Sequence, residues 1–420
     1  MFNKKVNQRL FIYALLILAF IPLVYSIIVS EFTKDFLSNM RDAVVGETTD
    51  SAPTTDPNEA RATYSSAFAS LRAKSYRVPL AEVSPSGPFQ LIDKDKILIV
   101  GRCGDVMIFE LDGESASRHT HLGKIGQAAE MAECGRSSGP GVKDMLLLND
   151  SILISYIEFD EAENGYRLVL YKYPWVGERI QLEEGAKIFE SEPAVPRSAF
   201  VPIQSYGRLA KRNEDEAYLT LGDFGVPNLI EEDDSSLGKL FLINHSDKSA
   251  QLIARGFKSP GGLFYDAGSD QLWMTDHGPH GGDELNLVRP GKHYGWPKVS
   301  YGNLYPWEPP WAAQPEYYGI EWGHHDGFEK PKYVFLPSIG ISQVHRYPTT
   351  GSIEKWRGDL ILGSLRNGTL YRLKREGDEI VYAEPIASIG ERIRDIDIDD
   401  QGKIWLKTDT NKLMALCMHC

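Results

Sequence analysis

Five titratable side chains crowd one glycine-rich stretch of this chain: Asp276, His277, His280, Asp283 and Glu284. Residues 275–297 read T-D-H-G-P-H-G-G-D-E-L-N-L-V-R-P-G-K-H-Y-G-W-P. The β-formers at 271–274 follow a Gly-Ser-Asp turn, so the stretch opens at the end of a strand. Its glycines and prolines bar a regular element and demand special backbone angles. Irregular backbone turns carbonyl oxygens inward, and carbonyls with carboxylates are what a hard cation such as Ca²⁺ takes. The plainer alternative is a solvated polar loop between two strands.

The same stretch carries a longer pattern. H-G-P-x-G-G-D-E-L-N followed by G-x-x-Y-G-W-P resembles the signature of the glucose/sorbosone dehydrogenase family, the soluble quinone-dependent aldose sugar dehydrogenases. The matching residues are His277, Gly278, Pro279, Gly281, Gly282, Asp283, Glu284, Asn286, Gly291, Tyr294, Gly295, Trp296 and Pro297. The resemblance implies a six-bladed β-propeller that binds pyrroloquinoline quinone (PQQ) and Ca²⁺. It implies a first Ca²⁺ held by the backbone carbonyls of Gly278 and Pro279 together with the quinone. Asp283, Glu284 and Tyr294 complete the candidate metal residues.

In that family a histidine base takes the hydroxyl proton from the sugar's anomeric carbon as hydride passes to the quinone. Its motif is similar to H-x-x-G-R-L. Here residues 204–209 read Q-S-Y-G-R-L, with Gly222-Asp223 beyond the next strand. Gly207, Arg208 and Leu209 fit, but Gln204 stands in the histidine position. A carboxamide has no lone pair basic enough to act as a general base near neutral pH. No histidine lies between His121 and His245, so a slip of alignment does not restore one. Arg208 and Asp223 remain catalytic-site candidates, and a substitute base would be Asp223, Asp276 or His277.

The family's cofactor motifs are matched unevenly. Its G-x-R-N-P-x-G-L reads G-F-K-S-P-G-G-L here, so Lys258 and Ser259 replace an Arg-Asn pair. Lys258 keeps the charge but loses the planar fork of arginine. Residues 139–145 align loosely with an early strand start, without the polar residue expected just before it. Residues 364–372, S-L-R-N-G-T-L-Y-R, resemble a motif whose basic residue faces the cofactor, here Arg366. E-R-I-R-D at 391–395 contributes Arg392 and Arg394, which alternation would put on one face of a strand. PQQ carries three carboxylates, and arginine binds carboxylates through paired donors. The alternative is that these arginines form surface salt bridges.

Stepping these residues into place requires a β framework. A turn followed by a short apolar run recurs at 96–100, 151–155, 217–221, 271–275, 359–363 and 403–407. Such units stack as propeller blades, although a sandwich or barrel could carry the same strands. The count of six agrees with the six blades the resemblance implies. Residues 301–325 form an aromatic- and proline-rich insertion, either a sugar-stacking loop or a satellite hydrophobic cluster. The chain therefore reads as a propeller over 76–416, a linker over 31–75 and a C-terminal CxxC tail over 417–420. Within the linker, 48–58 is rich in Pro, Ser, Thr and Asp, and 59–74 has the alanine content of a helix or a flexible stalk.

Lys4, Lys5 and Arg9 precede an apolar run from 10 to 30, long enough to span a bilayer of about 30 Å. That length exceeds the apolar core of a cleaved signal, and the basic residues should stay in the cytoplasm. The expectation is one uncleaved transmembrane anchor over 1–30 in the cytoplasmic membrane, with the propeller on the far side. Four cysteines in an exported chain favour disulfides, with Cys103–Cys134 the preferred pair. Cys417 and Cys420 flank His419 as a vicinal pair or half of a metal site. The 420 residues carry 45 basic and 58 acidic side chains, a net charge of −13 that offers no footprint for nucleic acid.

The leading expectation is a PQQ- and Ca²⁺-dependent oxidoreductase acting on a small sugar or aldehyde, with electrons passed to an external acceptor. Loss of the histidine would leave turnover weak or altered. The rival is a membrane-anchored propeller without catalysis that binds a glycan, an anionic ligand or a protein. A third possibility is a hydrolase of the kind seen in calcium-dependent lactonases, which are similar propellers.

Overall fold

The six recurring apolar runs fold as the second strands of six antiparallel sheets in a computed structural model. It describes residues 63–66, 69–77, 87–111, 116–126, 134, 141–303, 319–410 and 412–418. The anchor expected over 1–30, and the linker up to residue 62, lie outside the described residues. Among those described, no helix is long and apolar enough to cross a membrane.

Most of the second strands are apolar without alternation because both their faces are covered. Ile97, Leu98, Ile99 and Val100 are all fully buried, as are Leu360, Ile361 and Leu362. A sheet sandwiched between two neighbours buries both sides of its middle strands, which is the condition inside a propeller.

The first blade comprises Phe89–Asp93, Lys96–Val100, Asp105–Leu111 and Ala116–Lys124. The second comprises Val142–Leu147, Ser151–Asp160, Gly165–Val176 and Ala186–Glu190. The third is built from Leu209–Lys211, Glu216–Thr220, Lys239–Asn244 and Ser249–Arg255. Pro260–Asp266, Gln271–Asp276, Asp283–Val288 and Tyr333–Phe335 make the fourth. The fifth holds Ile341–Arg346, Leu360–Ser364, Thr369–Glu376 and Glu379–Ser388. In the sixth, Ile393–Ile398, Ile404–Thr408 and Lys412–Cys417 are joined by Ser70–Arg77 from the other end of the chain. The first strands of successive blades touch in a closed ring, first to second through to sixth and back to first.

Closure of that ring corrects one expectation. Residues 63–65 and 70–77 are strands, where a helix or stalk was expected from alanine content. Ser70–Arg77 pairs antiparallel with Lys412–Cys417, Arg72 opposite Cys417 and Arg77 opposite Lys412. Leu71 and Ala73 bury their side chains on one face at the two-residue period of a strand, and Tyr76 buries its ring on the other. Tertiary pairing overrides the local helical preference here.

The long insertion falls inside the fourth blade, between its third and fourth strands. Of residues 301–325, 304–318 lie outside the described residues. The described part packs inward: the Tyr301 ring stacks on His325 at 4.8 Å, and Trp322 packs on a cluster of Ile230, Trp296 and Ile320. Cys103 and Cys134 form the expected disulfide, and Cys417 is also disulfide-bonded; Cys420 lies outside the described residues.

Candidate active site

In an antiparallel pair, the start of one strand and the end of the next lie at the same edge. Residues just before each blade's first strand, or just after its second, therefore converge on one mouth of the central channel. A cavity of ≈ 250 Å³ opens there, and every blade contributes to it. The sixth, first and second blades supply Arg392, Arg394, Arg102 and Lys143. The third, fourth and fifth supply Gln204, Tyr206, Lys258, Ser259, His277, Gly278 and Leu365.

Positive charge is in surplus on one side of this cavity. Asp409 serves both arginines of the sixth blade: Arg392 Nε donates to it at 2.8 Å, and Arg394 Nε and Nη2 donate at 2.8 Å each. Burial would raise the Asp409 carboxyl, but Arg394 and Arg392 hold it below its usual range. Burial, and then Arg394, pull the Arg102 guanidinium down to about 10. Burial, and then Arg102 and Arg394, pull the Lys143 amine well below its usual value. Burial and nearby cations both disfavour the charged form of a lysine.

The opposite side is polar but uncharged, apart from Lys258. Asp276 shapes it by accepting from the Lys258 N–H at 2.9 Å and the Ser259 N–H at 2.5 Å. The Lys258 amine lies 5.7 Å from the centroid of the Trp296 ring. Gln204 ends a 3-10 turn, Pro202–Gln204, that passes close over Gly222. A Cβ at residue 222 would lie 1.8 Å from the Gln204 carbonyl oxygen, so only glycine fits there. The Gln204 side chain is buried, and its Oε1 accepts no hydrogen bond. An orphaned buried acceptor costs about 1–3 kcal/mol, which a ligand donor would recover.

Beside Gln204, the Tyr206 and His277 rings stack at 5.7 Å, with Tyr206 Oη 3.2 Å from His277 Nε2. Burial first, and then nearby cations, push the His277 imidazole down to about 4, so it is neutral at pH 7. Its Nδ1 lies 4.0 Å from Asp283 Oδ1. Tyr206 was not among the sequence candidates.

Other candidates have structural employment. Arg208 spans the channel floor: Nε donates to Gly261 O at 2.8 Å, Nη2 to Arg394 O at 3.0 Å and Nη1 to Asp395 at 3.2 Å. Asp144, 3.5 Å from Nη1, accepts in turn from Leu209 N at 2.8 Å. Arg208 is thus a strut joining the second, third, fourth and sixth blades, more than a reacting group. Asp223 does not line the cavity. Its oxygens accept from Gly225 N at 3.0 Å and Trp296 Nε1 at 2.8 Å, and burial pushes it up to about 6. Arg366 is exposed at the rim and donates to Ser338 O, while its neighbour Leu365 faces the cavity.

The glycine-rich loop is organised differently from the sequence expectation. Asp283 accepts from Gly278 N, Ser338 Oγ and the successive N–H groups of Ile339, Gly340 and Ile341 at 2.7–3.1 Å. Those five donors occupy both its oxygens, so it is an anchor for two loops and not a metal ligand. Glu284 pairs with His325 Nε2 at 2.8 Å and accepts from Asn286 at 3.2 Å. Tyr294 Oη donates to Leu287 O and accepts from Arg289 N, both at 2.8 Å. Among the described residues no group of three His, Cys, Asp or Glu side chains could hold a metal. A cation at this loop would depend on carbonyls, chiefly those of Gly278, which borders the cavity, and Pro279 beside it.

Arg102 and Lys143 also escaped sequence reasoning. Their signal was present: a charge inside the apolar run V-K-D-M-L-L, and an arginine in a Gly-Arg-Cys-Gly turn beside a paired cysteine.

Comparison with known proteins places this geometry. The family model Glucose / Sorbosone dehydrogenase matches residues 85–415. An uncharacterized protein of Synechocystis sp. is 29% identical over 232 residues, 50% of this chain and 54% of that one. Aldose sugar dehydrogenase YliI of Escherichia coli is 26% identical over 217 residues, 48% of this chain and 56% of that one. The matched part is thus about half the length of these curated relatives. The PQQ-bound form of aldose sugar dehydrogenase from Streptomyces coelicolor superposes with a TM-score of 0.59 at 18% identity. That superposition covers 82% of this chain and 98% of the other, a likeness of fold.

Proposed function

The chain belongs to the glucose/sorbosone dehydrogenase family, and we propose on that premise that its cavity binds PQQ and a small sugar or aldehyde, with oxidation slowed by loss of the usual base. One observation carries the reading: a cation-rich arc faces an orphaned carboxamide across one cavity. A ligand with several carboxylates matches the arc, because Arg392, Arg394 and Lys258 present directed donors. A hydroxyl-bearing ligand matches Gln204, whose Oε1 lacks a donor.

When bound, PQQ supplies a two-electron acceptor. The chain's own part is to position and to move a proton. Gln204 Oε1 would accept a hydrogen bond from a sugar hydroxyl without removing its proton. The neutral His277 Nε2, reached through Tyr206 Oη, has a lone pair able to take it. Ca²⁺ enters this reading through the carbonyls of Gly278 and Pro279, with Asp283, Glu284 and Tyr294 shaping the loop.

The test is dye-linked oxidation of aldoses and aldehydes by the purified full chain with PQQ and Ca²⁺. Slow turnover that falls further in Tyr206→Phe supports the proposal. PQQ binding with no turnover on any aldose or aldehyde would favour a propeller that binds without catalysing, which Gln204 alone already suggests.

The proposal includes an uncleaved anchor over 1–30, with the propeller outside the cytoplasmic membrane. Its support is the spanning length of the apolar run and a disulfide, which persists in oxidising compartments. N-terminal sequencing of protein extracted from membranes tests it; a soluble chain beginning beyond residue 30 contradicts it.

A further inference from the structure

We propose that Arg102 and Lys143 form a second anion-binding arm of the cavity, continuous with Arg392 and Arg394, so that the site takes a ligand carrying two or more carboxylates. The inference rests on the reading of the cavity as a cofactor site; Arg102 lies in no matched motif, and Lys143 lies in the stretch 139–145 that aligns only loosely with one.

The arm is built into the fold. Arg102 sits in a turn closed by the Gly104 N–H to Gly101 O at 2.9 Å, and its carbonyl accepts from Val142 N at 2.9 Å. That bond ties the first blade to the strand bearing Lys143. The Cys103–Cys134 disulfide fastens the same corner. Gly141, at φ 118°, lets it close: a Cβ there would lie 2.5 Å from the Arg102 carbonyl oxygen and 3.3 Å from Cys134 Cβ. Arg102 is 8% exposed, so its guanidinium is held against the cavity wall.

Charge points to the occupant. Lys143 lines the cavity, and no described residue offers it a hydrogen bond or an ion pair. Arg102, Arg392, Arg394 and Lys258 share that cavity with one lining acid, Asp395. Of the acids nearby, Asp409 is taken by Arg392 and Arg394, and Asp395 by Arg208 and the Phe89 N–H. Asp144 below is held by Arg208 and two backbone N–H groups. Behind the arc, Lys407 is wholly buried with Nζ unpartnered, and burial pulls it down to about 8. A polyanion would relieve this crowding. It would also favour the charged form of Lys143, whose amine is otherwise held down by burial, Arg102 and Arg394.

Calorimetric titration of the full chain separates the possibilities, using PQQ and, as a redox-inert tricarboxylate, citrate. The wild type should bind both. Lys143→Met should weaken both about ten- to a hundredfold. Lys143→Arg should keep the affinity, which also guards against misfolding of the first variant. If citrate binds in a Lys143-dependent way and PQQ does not bind, the arm stands and the cofactor reading fails. Unchanged affinity in Lys143→Met for whichever ligand binds, or binding of neither, overturns the arm.

Discussion

In the proposed reading, Gln204 and His277 divide a task that the family resemblance assigns to one histidine. The carboxamide sits where the base is expected, buried and without a donor, while the imidazole beside it is neutral and bonded to Tyr206. Restoring the motif is therefore informative. Gln204→His should raise dye-linked sugar oxidation, since general-base assistance contributes about 10²–10⁴-fold. No increase, with PQQ still bound, would show that Lys258 and Ser259 have altered the site as well. Asp223 makes a separate prediction. Its ordinary value is 3.8 and burial raises it to about 6, so the folded chain favours the protonated form. That contribution is fully present below pH 3.8 and is lost as pH rises through about 6. Asp223→Asn stays neutral and keeps an oxygen for Trp296. Relative to this variant, wild-type stability should fall by on the order of 2 kcal/mol from pH 4 to pH 7. Parallel pH profiles in urea denaturation would contradict the assignment.

At the scale of elements, the sequence displayed the strands better than the joints between them. The apolar runs stood out because each is the second strand of a blade, buried on both faces. Ser70–Arg77 did not, because its β structure comes from pairing with residues some 340 positions away. Site residues followed the same division. Arg392 and Arg394 were legible from the family motif they resemble and do line the cavity, whereas Arg208, Asp223 and Asp283 carried motif labels that concealed their hydrogen-bond partners. A carboxylate able to bind a cation and one that gathers five N–H and O–H donors look alike in sequence. Arg208 shows what such a joint sustains. Arg208→Met would leave Asp144 and Asp395 facing each other in the channel floor, and breaking a buried ionic cluster in this way costs about 3–5 kcal/mol. Adding Asp144→Asn and Asp395→Asn should recover part of that loss, because the amides cannot ionise, although each keeps one oxygen and so accepts only one of the two backbone N–H groups its carboxylate serves. Urea denaturation of the single and triple variants checks both halves; equal stability would contradict the strut.

For the whole molecule, the contrast is between an acidic chain and a basic mouth. The net charge is −13, yet cations from the sixth, first and second blades share one cavity, with Asp409 beside Arg392 and Arg394 and Asp395 held by Arg208. Maintaining that arrangement in a folded state is unfavourable unless an anion completes it. We propose that this anion is PQQ, assisted by Ca²⁺ at the Gly278–Pro279 carbonyls. The direct measurement is fluorescence titration of the full chain with PQQ, in Ca²⁺ and again after EDTA, for the wild type and Arg394→Met. The account predicts saturable binding in Ca²⁺, weaker binding after EDTA, and a loss of at least about tenfold in Arg394→Met. Absence of saturable binding in Ca²⁺, or equal affinity in the two proteins, would contradict it.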